Sequence, residues 1–224
     1  MRVQKIHQMF ADSLSTLRGT LSLFANPSNT LSVYDIEDGL RHQKATTLSI
    51  QYLMEQPGIP EIVAERYLAP PPDIEALLQQ PVGSLGHTYA TYITSHGFDA
   101  NFFRPLAVED DTSYLFLRRR QTHDLWHIVA GFDIDEESEI GLKSFELAQT
   151  RSMMSALLIT GGLIRTLFKS PERLDYLLDR IAVGYRVGAK AHPFLAQKWE
   201  LGWSKPLAEW RQDLNVTLMP VYEP

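Results

Sequence analysis

The chain has 224 residues, of which 44% are hydrophobic and 21% are charged, so it can bury a core and is expected to form one domain over residues 1–224. Its formal net charge is −6, whereas nucleic-acid binding needs clustered Lys and Arg, so no nucleic-acid partner is expected. The chain has no cysteine, which excludes disulfides and thiolate metal sites. Any metal ion must therefore be held by imidazole and oxygen ligands.

The first 25 residues carry an apolar stripe with alternating spacings of three and four. This spacing predicts an N-terminal amphipathic helix over residues 1–25. Core packing is the first interpretation of the stripe; a homodimer seam or a membrane-surface element is the alternative, because Arg2, Lys5 and Arg18 flank it. The segment lacks the apolar run of a secretory signal and a clear mitochondrial presequence, so we expect a bacterial, cytoplasmic protein.

Helical patterns dominate the rest of the chain, and turns that contain Pro and Gly separate them. Short helices are predicted at 44–54, 61–68 and 85–96, and further helices follow Pro171. The only strand that the pattern predicts is a short one at 215–222. The predicted fold class is therefore all-α, with a single multi-helix domain.

Two helices joined by a tight turn are predicted at the centre of the chain. Asp111 or Thr112 can cap the first helix, and Gly131 can end it. Asp133 or Asp135 can cap the second helix, which is predicted to continue to residue 169. We expect these two helices to form a central helical hairpin.

The stretch HDLWHIVAGFDIDEESE, residues 123–139, crosses this turn. Each helical residue turns about 100°, so His123, Asp124 and His127 fall within roughly a 100° arc and can converge on one point. Glu139 lies early on the returning helix, where antiparallel packing would bring it opposite that arc. Two imidazoles and two carboxylates would then surround one divalent cation. The alternative is a partly exposed histidine pair beside acidic residues that cap a helix.

The same stretch is close to the HExxH motif of zinc hydrolases, in which a Glu between two histidines is the general base. Asp124, one methylene shorter, stands at that position, so a hydrolase is the weakest interpretation. Asp124 and His127 also match half of the carboxylate and histidine pattern of di-iron helical bundles, but no second copy occurs in the sequence. A single metal ion is therefore predicted.

Charged side chains near this stretch are candidates for contact with a substrate. Arg120 lies one turn before the first histidine and points to the same side, where it could hold an anionic group. Lys143 and Glu146 share one stripe of the second helix, and they either surround the metal or form exposed ion pairs. Arg118 and Arg119 are predicted to lie on a solvated face.

These residues resemble the signature of a known family. HDLWH followed after eleven residues by Glu139 is similar to the His-Asp-x-x-His-x11-Glu pattern of the Coq-four family of ubiquinone biosynthesis proteins. The resemblance covers residues 35–216 and includes PVGSLGHTY (81–89), YLFLRRRQTHD (114–124), GLKSFELAQT (141–150) and KWELGW (198–203).

The resemblance implies an all-helical protein that binds one divalent metal ion, zinc first, with magnesium or iron as alternatives. The implied ligands are His123, Asp124, His127 and Glu139. It also implies a polyprenylated quinone precursor or another isoprenoid lipid as ligand, peripheral membrane contact, and other quinone-biosynthesis enzymes as partners. Two functions agree with it: an enzyme that replaces the ring carboxyl at C1 with hydroxyl, and a non-catalytic scaffold that binds the lipid and organises the biosynthetic enzymes.

For the enzymatic function, Arg120 and Lys143 are candidates for neutralising a carboxylate or phosphate, and Glu146 is a candidate for proton transfer. A prenyl tail also needs an apolar channel. The most apolar stretch, residues 153–164, is shorter than the roughly 20 residues of a membrane span. Its candidates for contact with the lipid are Met153, Met154, Leu157, Leu158 and Gly161. Ordinary core packing is the alternative interpretation of this run.

Overall fold

Ten α-helices and three short 3-10 helices make up residues 30–220, the part of the chain that this computed structural model describes, with side chains from residue 33 onward. The helices are α1 (Thr30–Leu40), α2 (Lys44–Met54), α3 (Ile59–Glu65), α4 (Ile74–Leu78), α5 (Leu85–His96), α6 (Asp111–Ala130), α7 (Glu136–Thr150), α8 (Met153–Lys169), α9 (Leu174–Lys190) and α10 (Leu207–Asp213). The 3-10 helices are Pro171–Arg173, Phe194–Ala196 and Trp199–Gly202. Residues 30–220 contain no β-strand, which confirms the all-α class.

Local signals in the sequence place several of these helices. α2 and α5 span the predicted ranges. α3 begins and ends earlier than predicted, because Gly58 (φ 78°) precedes it and Arg66 (φ 55°) ends it, both in the left-handed conformation. The predicted strand is wrong for residues 215–220, where the Val216 N–H instead bonds the Arg211 carbonyl at 2.8 Å and closes α10. The helix predicted over residues 1–25 lies outside the described residues.

Capping side chains set the turn between α6 and α7. Asp110, one residue before the predicted candidates, caps α6 by accepting a hydrogen bond from the Ser113 N–H at 2.7 Å. Gly131 ends α6 in the left-handed conformation, as predicted, with φ 75°. Asp135 caps α7 by accepting from the Ser138 N–H at 3.1 Å. The end of α6 and the start of α7 are therefore close in space.

The prediction of one continuous helix over residues 136–169 is wrong. Arg151, directly after α7, adopts the left-handed conformation with φ 58°, and Ser152 then caps α8 by accepting from the Ser155 N–H at 3.5 Å. The Arg151 guanidinium lies over the Tyr52 ring, 4.6 Å from its centroid, and this contact supports the bend. An arginine thus occupies the position that glycine usually takes at a helix end, so no Gly or Pro marks the break.

An aromatic row at the centre of the main core holds α6. Trp126 is fully buried, and its ring packs edge-on against Phe145 and Phe194 with centroids 6.0 and 5.5 Å away. Trp199 and Trp210 continue the row, with centroids 4.9 Å apart. Because Trp126 lies between the two histidines of the motif, this packing fixes the rotation of α6 about its axis.

α7 and α9 approach until their backbones touch. Gly184 of α9 lies against the carbonyl oxygen of Gly141, and a methyl group at position 184 would overlap that oxygen. The Ser144 hydroxyl also donates to the Ile181 carbonyl at 2.8 Å. This crossing fixes the position of α7 and therefore of Glu139.

α1 rests on α8 rather than on the main core. Ile36 and Leu40 of α1 form a small separate cluster with Met154 of α8. Val33, Leu157 and Leu158 pack around this cluster. α1 was not predicted from the sequence, because its residues show no strong helical pattern. Apolar contacts with α8 and several ion pairs hold it in place.

Candidate metal centre

Three of the four predicted ligands form a tight cluster. His123 and His127 lie one turn apart on α6, and their Nε2 atoms are 3.3 Å apart. Oε1 of Glu139, from the first turn of α7, lies 3.0 Å from His127 Nε2, and its Oε2 lies 3.9 Å from His123 Nε2. One ligand atom from each residue therefore falls within 4.8 Å of the other two, as a shared metal ion requires.

A neighbouring carbonyl orients the His127 ring. His127 Nδ1 is 3.2 Å from the Phe132 carbonyl oxygen, so Nδ1 carries the proton and donates it to that oxygen. Nε2 then faces the cluster, where it lies next to Glu139. The Tyr92 ring lies roughly parallel to the imidazole, with centroids 6.3 Å apart. A backbone carbonyl that holds the second nitrogen of a histidine is a usual companion of metal-binding histidines.

The electrostatics of the cluster favour a neutral His123 and an ionised Glu139, as metal ligands require. Burial, together with the charges of Lys143 and His127, lowers the pKa of His123 to about 3 against the opposing carboxylates of Glu139 and Glu146, so His123 is neutral. Burial alone would raise the pKa of Glu139, but the hydrogen bond from His127 and the nearby positive charges hold it at about 2. Burial opposes a charge on His127, yet the Glu139 carboxylate outweighs it and raises the pKa of His127. A divalent ion would replace the proton that His127 and Glu139 share.

Asp124, the fourth predicted ligand, lines the same cavity but does not belong to the three-residue cluster. Burial raises the pKa of its carboxyl group, an effect that the Glu139 charge reinforces and His127 opposes. Asp124 therefore remains a prediction as a ligand.

The chemistry of the cluster fits a divalent transition metal. Two imidazole nitrogens and one carboxylate are the usual ligand set of zinc and of non-haem iron. Magnesium prefers oxygen ligands and water, so this set suits it less well.

A cavity of about 830 Å³ opens beside the cluster and includes all four predicted ligands in its wall. Besides the predicted ligands, its charged wall residues are Glu37, Asp99, Arg119, Arg120, Glu136, Glu137, Lys143, Glu146 and Arg165. Its apolar wall residues include Val33, Ile36, Phe98, Phe102, Phe103, Ile134 and Ile140. The cavity therefore offers a polar region near the cluster and an apolar region large enough for a hydrocarbon chain.

The predicted apolar candidates divide between the cavity and the surface. Met154, Leu157, Leu158 and Gly161 line the cavity. Met153 does not line it, and this side chain is 41% exposed. Further along α8, Phe168 is 83% exposed. No helix among the described residues is long and apolar enough to span a membrane.

The three candidate residues for substrate contact are all engaged in ion pairs. Arg120 is buried and donates to Glu37 Oε1 from Nη2 at 2.6 Å. Lys143 donates to Glu146 at 3.1 Å. Glu146 is fully buried and also accepts from Arg119 at 2.9 Å. Of the two interpretations for Lys143 and Glu146, the exposed ion pair is therefore excluded.

The solvated face predicted for Arg118 and Arg119 is wrong. Arg118 is fully buried and binds both oxygens of Glu200, at 2.6 and 2.8 Å. Arg119 is buried between Glu37 and Glu146. Glu37 and Tyr92, which line the cavity, were not predicted as site residues, because each comes from a helix remote in sequence from the motif and no local pattern marks it.

The fold and the cluster define a class of all-α proteins with a candidate histidine and glutamate metal centre at an apolar cavity. The family model described as "Coenzyme Q (ubiquinone) biosynthesis protein Coq4" matches residues 18–220. The chain belongs to this family, which confirms the resemblance seen in the sequence.

Individual relatives agree. The mitochondrial ubiquinone biosynthesis protein COQ4 of Eremothecium gossypii is 28% identical over 212 residues, which are 89% of this chain and 62% of that protein. The corresponding protein of Yarrowia lipolytica is 30% identical over 152 residues, 66% of this chain and 56% of that protein. The chain thus spans less than two thirds of the length of these relatives.

A solved structure shares the fold. A protein of Nostoc punctiforme assigned to ubiquinone biosynthesis superimposes with a TM-score of 0.82 at 34% sequence identity. The match covers 91% of this chain and 96% of that one.

Proposed function

We propose that this protein is a metal-dependent enzyme of ubiquinone or related prenylquinone biosynthesis, which binds a polyprenylated ring acid and replaces its C1 carboxyl with oxygen. The observation that supports this proposal most directly is the position of the His123, His127 and Glu139 cluster in the wall of a cavity that is otherwise largely apolar. Membership of the ubiquinone biosynthesis family supports the class of substrate.

In this proposal the metal ion is held by the cluster and by Asp124 as fourth ligand. A divalent ion supplies Lewis-acid polarisation when it is bound. Glu139 and His123 contribute lone pairs in the protonation states described above. Phe132, through its carbonyl, keeps the His127 ring in the orientation that presents Nε2.

The apolar wall of the cavity binds the prenyl tail and excludes water from the ring. Met154, Leu157 and Leu158 contribute side chains to this wall, and Gly161 lets a chain approach the backbone. Arg120 and Lys143 offer positive charge for the ring carboxylate.

The reaction balances with dioxygen as the oxidant. A 4-hydroxybenzoate-type acid and one dioxygen give the corresponding quinone, one carbon dioxide and one water. The bond between C1 and the carboxyl carbon breaks, a C1–oxygen bond forms, and dioxygen accepts four electrons.

The test is carbon dioxide release from a carboxyl-labelled prenylated 4-hydroxybenzoic acid by purified protein loaded with zinc, iron or manganese under air. We expect Glu139→Ala and Asp124→Ala to lower the release at least about 100-fold, because each removes an anionic ligand of the metal. Asp133→Ala, which changes an exposed carboxylate of the same stretch, is the matched control. Turnover that survives both ligand substitutions contradicts the metal mechanism.

A non-catalytic scaffold is the second candidate. Exposed apolar side chains near the end of α8, with Leu167 at 54% and Phe168 at 83%, favour it, because they can contact a membrane surface or partner enzymes. The metal would then be structural, and the protein would bind the isoprenoid lipid, peripherally at the membrane and as a homodimer. Lipid that copurifies with protein showing no carbon dioxide release would support the scaffold.

A further inference from the structure

The arginines in the cavity wall are bound by the protein's own carboxylates. Arg120 donates to Oε1 of Glu37 from Nε at 3.0 Å and from Nη2 at 2.6 Å. Arg119 donates to the other oxygen of Glu37. The edge formed by Nε and Nη2 is the one with which a guanidinium grips a carboxylate or phosphate through two bonds. An anionic ligand therefore gains this edge of Arg120 only by replacing Glu37.

Glu37 belongs to α1, which packs on α8 outside the main core. The apolar contacts of α1 with Met154 form a cluster separate from the main core. Its other contacts among the described residues include the ion pairs of Arg104 with Asp35 at 2.9 Å and Asp38 at 3.0 Å, and the Tyr34 ring, over which Arg104 and Arg120 lie. Separation of α1 alone would leave the buried guanidiniums of Arg119 and Arg120 without Glu37, which is costly, whereas an anionic ligand that takes the place of Glu37 would offset that cost. α1 is therefore a segment whose separation an anionic ligand can compensate.

Separation of α1 would change the charge of the cavity wall. In the docked state the cations of Arg119, Arg120 and Lys143 lie beside the carboxylates of Glu37 and Glu146. Glu37 and Asp38 leave with α1, so Arg119 and Lys143 keep Glu146 while Arg120 loses both of its carboxylate partners. The wall gains positive charge next to an apolar space, which is the environment that attracts an amphiphile with an anionic head.

We propose that α1 is a displaceable clasp: Glu37 occupies an anion site formed by Arg119 and Arg120, and an amphiphile with a carboxylate or phosphate head replaces it there. Because head and Glu37 compete for the same guanidinium edge, ligand binding and α1 docking oppose each other. Val33, Tyr34 and Ile36 of α1 line the cavity, so displacement also opens its wall to the tail. The identification of the natural ligand as the ring acid rests on the proposed function; the anion site rests on the contacts alone.

Calorimetric titration of the full chain with decanoate, decyl phosphate and decanol tests the competition. Glu37→Gln removes the competing charge, so we expect it to tighten decanoate and decyl phosphate at least about tenfold and to leave decanol unchanged. Tighter binding of decanoate would indicate a carboxylate as the natural head group, and tighter binding of decyl phosphate would indicate a phosphate. Glu209→Gln, on the exposed face of α10, makes the same change in net charge and should bind as the wild type does. Equal or weaker anion binding by Glu37→Gln, or no anion binding by either protein, overturns the proposal.

Hydrogen exchange of the wild type tests displacement without any substitution. Amides of residues 33–40 should exchange faster when decanoate is bound than with decanol, while those of α6 should not. Slower exchange of residues 33–40 with decanoate would mean that the ligand strengthens α1 docking, and it would overturn the clasp. The carbon dioxide assay is a separate readout: a displaced α1 without turnover contradicts only the enzymatic function, and turnover with a strengthened α1 contradicts only the clasp.

Discussion

Glu146 keeps a negative charge in the interior of the protein. It is 1% exposed and accepts hydrogen bonds from Arg119 at 2.9 Å, Lys143 at 3.1 Å and the Ser155 hydroxyl at 2.9 Å. Burial alone would raise its pKa, but the positive charges of Lys143 and Arg119 outweigh burial and hold the pKa at about 2. Such a carboxylate stays ionised at neutral pH and positions two cations in the cavity wall, while the proton transfer assigned to it from the sequence stays a prediction.

Substitution of Glu146 should therefore cost stability in a pH-dependent way. We expect Glu146→Gln to lower the free energy of unfolding by about 3 kcal/mol at neutral pH, because it leaves buried cations without their partner. The native pKa lies below the unfolded value of about 4.3, so the stabilisation is complete above that value and disappears as the pH falls through the native pKa. Urea unfolding of the wild type and of Glu146→Gln, from neutral pH down to the native pKa of Glu146, should show a difference in the free energy of unfolding that becomes smaller toward acid.

Glu209→Gln is the control for this pH series, because Glu209 is exposed on α10. The free energy of unfolding of Glu209→Gln should stay close to that of the wild type at every pH. If the difference in free energy of unfolding between Glu146→Gln and the wild type became larger toward acid, the native Glu146 carboxyl would be easier to protonate than its contacts imply.

For single residues, sequence patterns predicted pairs that lie one helix turn apart but did not predict partners that are distant in the chain. His123 and His127 could be paired from their spacing, because one helix turn places them together. Glu37 could not be assigned, because it lies 83 positions before Arg120 and only the docking of α1 brings them together. Three consecutive arginines are typical of a solvated face, and only tertiary structure reveals the buried carboxylates that accept them.

Among the elements, the crossing of α7 and α9 tolerates the least change. A methyl group on Gly184 would overlap the Gly141 carbonyl and approach the Phe145 backbone nitrogen to 3.0 Å. Backbone atoms cannot rotate away as a side chain can, so the helices would have to separate. We expect Gly184→Ala to lower the free energy of unfolding by about 3 kcal/mol or more, as overpacking against fixed atoms does.

Gly162→Ala is the matched control in α8. The three atoms nearest to its added methyl all belong to the Ile140 side chain, the first at 2.8 Å, and this side chain can change rotamer. Alanine also favours a helix by about 1 kcal/mol over glycine. The two Gly→Ala proteins should therefore differ clearly in denaturant midpoint. Equal midpoints would show that α9 can shift without loss of stability and that Glu139 is held less firmly than the packing indicates.

Element boundaries followed from sequence at the turn between α6 and α7, where a glycine and a capping aspartate carried the signal. Gly131 and Asp135 set the turn between α6 and α7 as predicted. The break after α7 could not be predicted, because Arg151 adopts a left-handed conformation that its residue type disfavours and Tyr52, from α2, supports it. A boundary held by a tertiary contact leaves no local mark in the chain.

At the scale of the whole molecule, the cavity lies between α1, α6, α7 and α8, and α5 with the segment 97–103 that follows it closes another side. The main core holds α6 and α7, while α1 belongs to a separate cluster with α8. The candidate ligands therefore lie on the helices of the main core, and the wall that the proposed displacement would move belongs to α1. This division allows a ligand to enter without disturbing the geometry of the cluster.

A metal ion held by α6 and α7 should stabilise the entire fold, because the ligands are brought together only in the folded chain. At a free metal concentration of about 100 times Kd, binding to the native state adds about 2.7 kcal/mol. For a chain of this size that corresponds to a rise in Tm of about 5–10 °C. Thermal unfolding with zinc and with excess chelator measures the difference. Glu139→Gln should remove the zinc-dependent rise, since it takes away the one ligand that joins α7 to α6, whereas Asp133→Asn should retain it. A full rise in Glu139→Gln would place the bound zinc elsewhere on the protein.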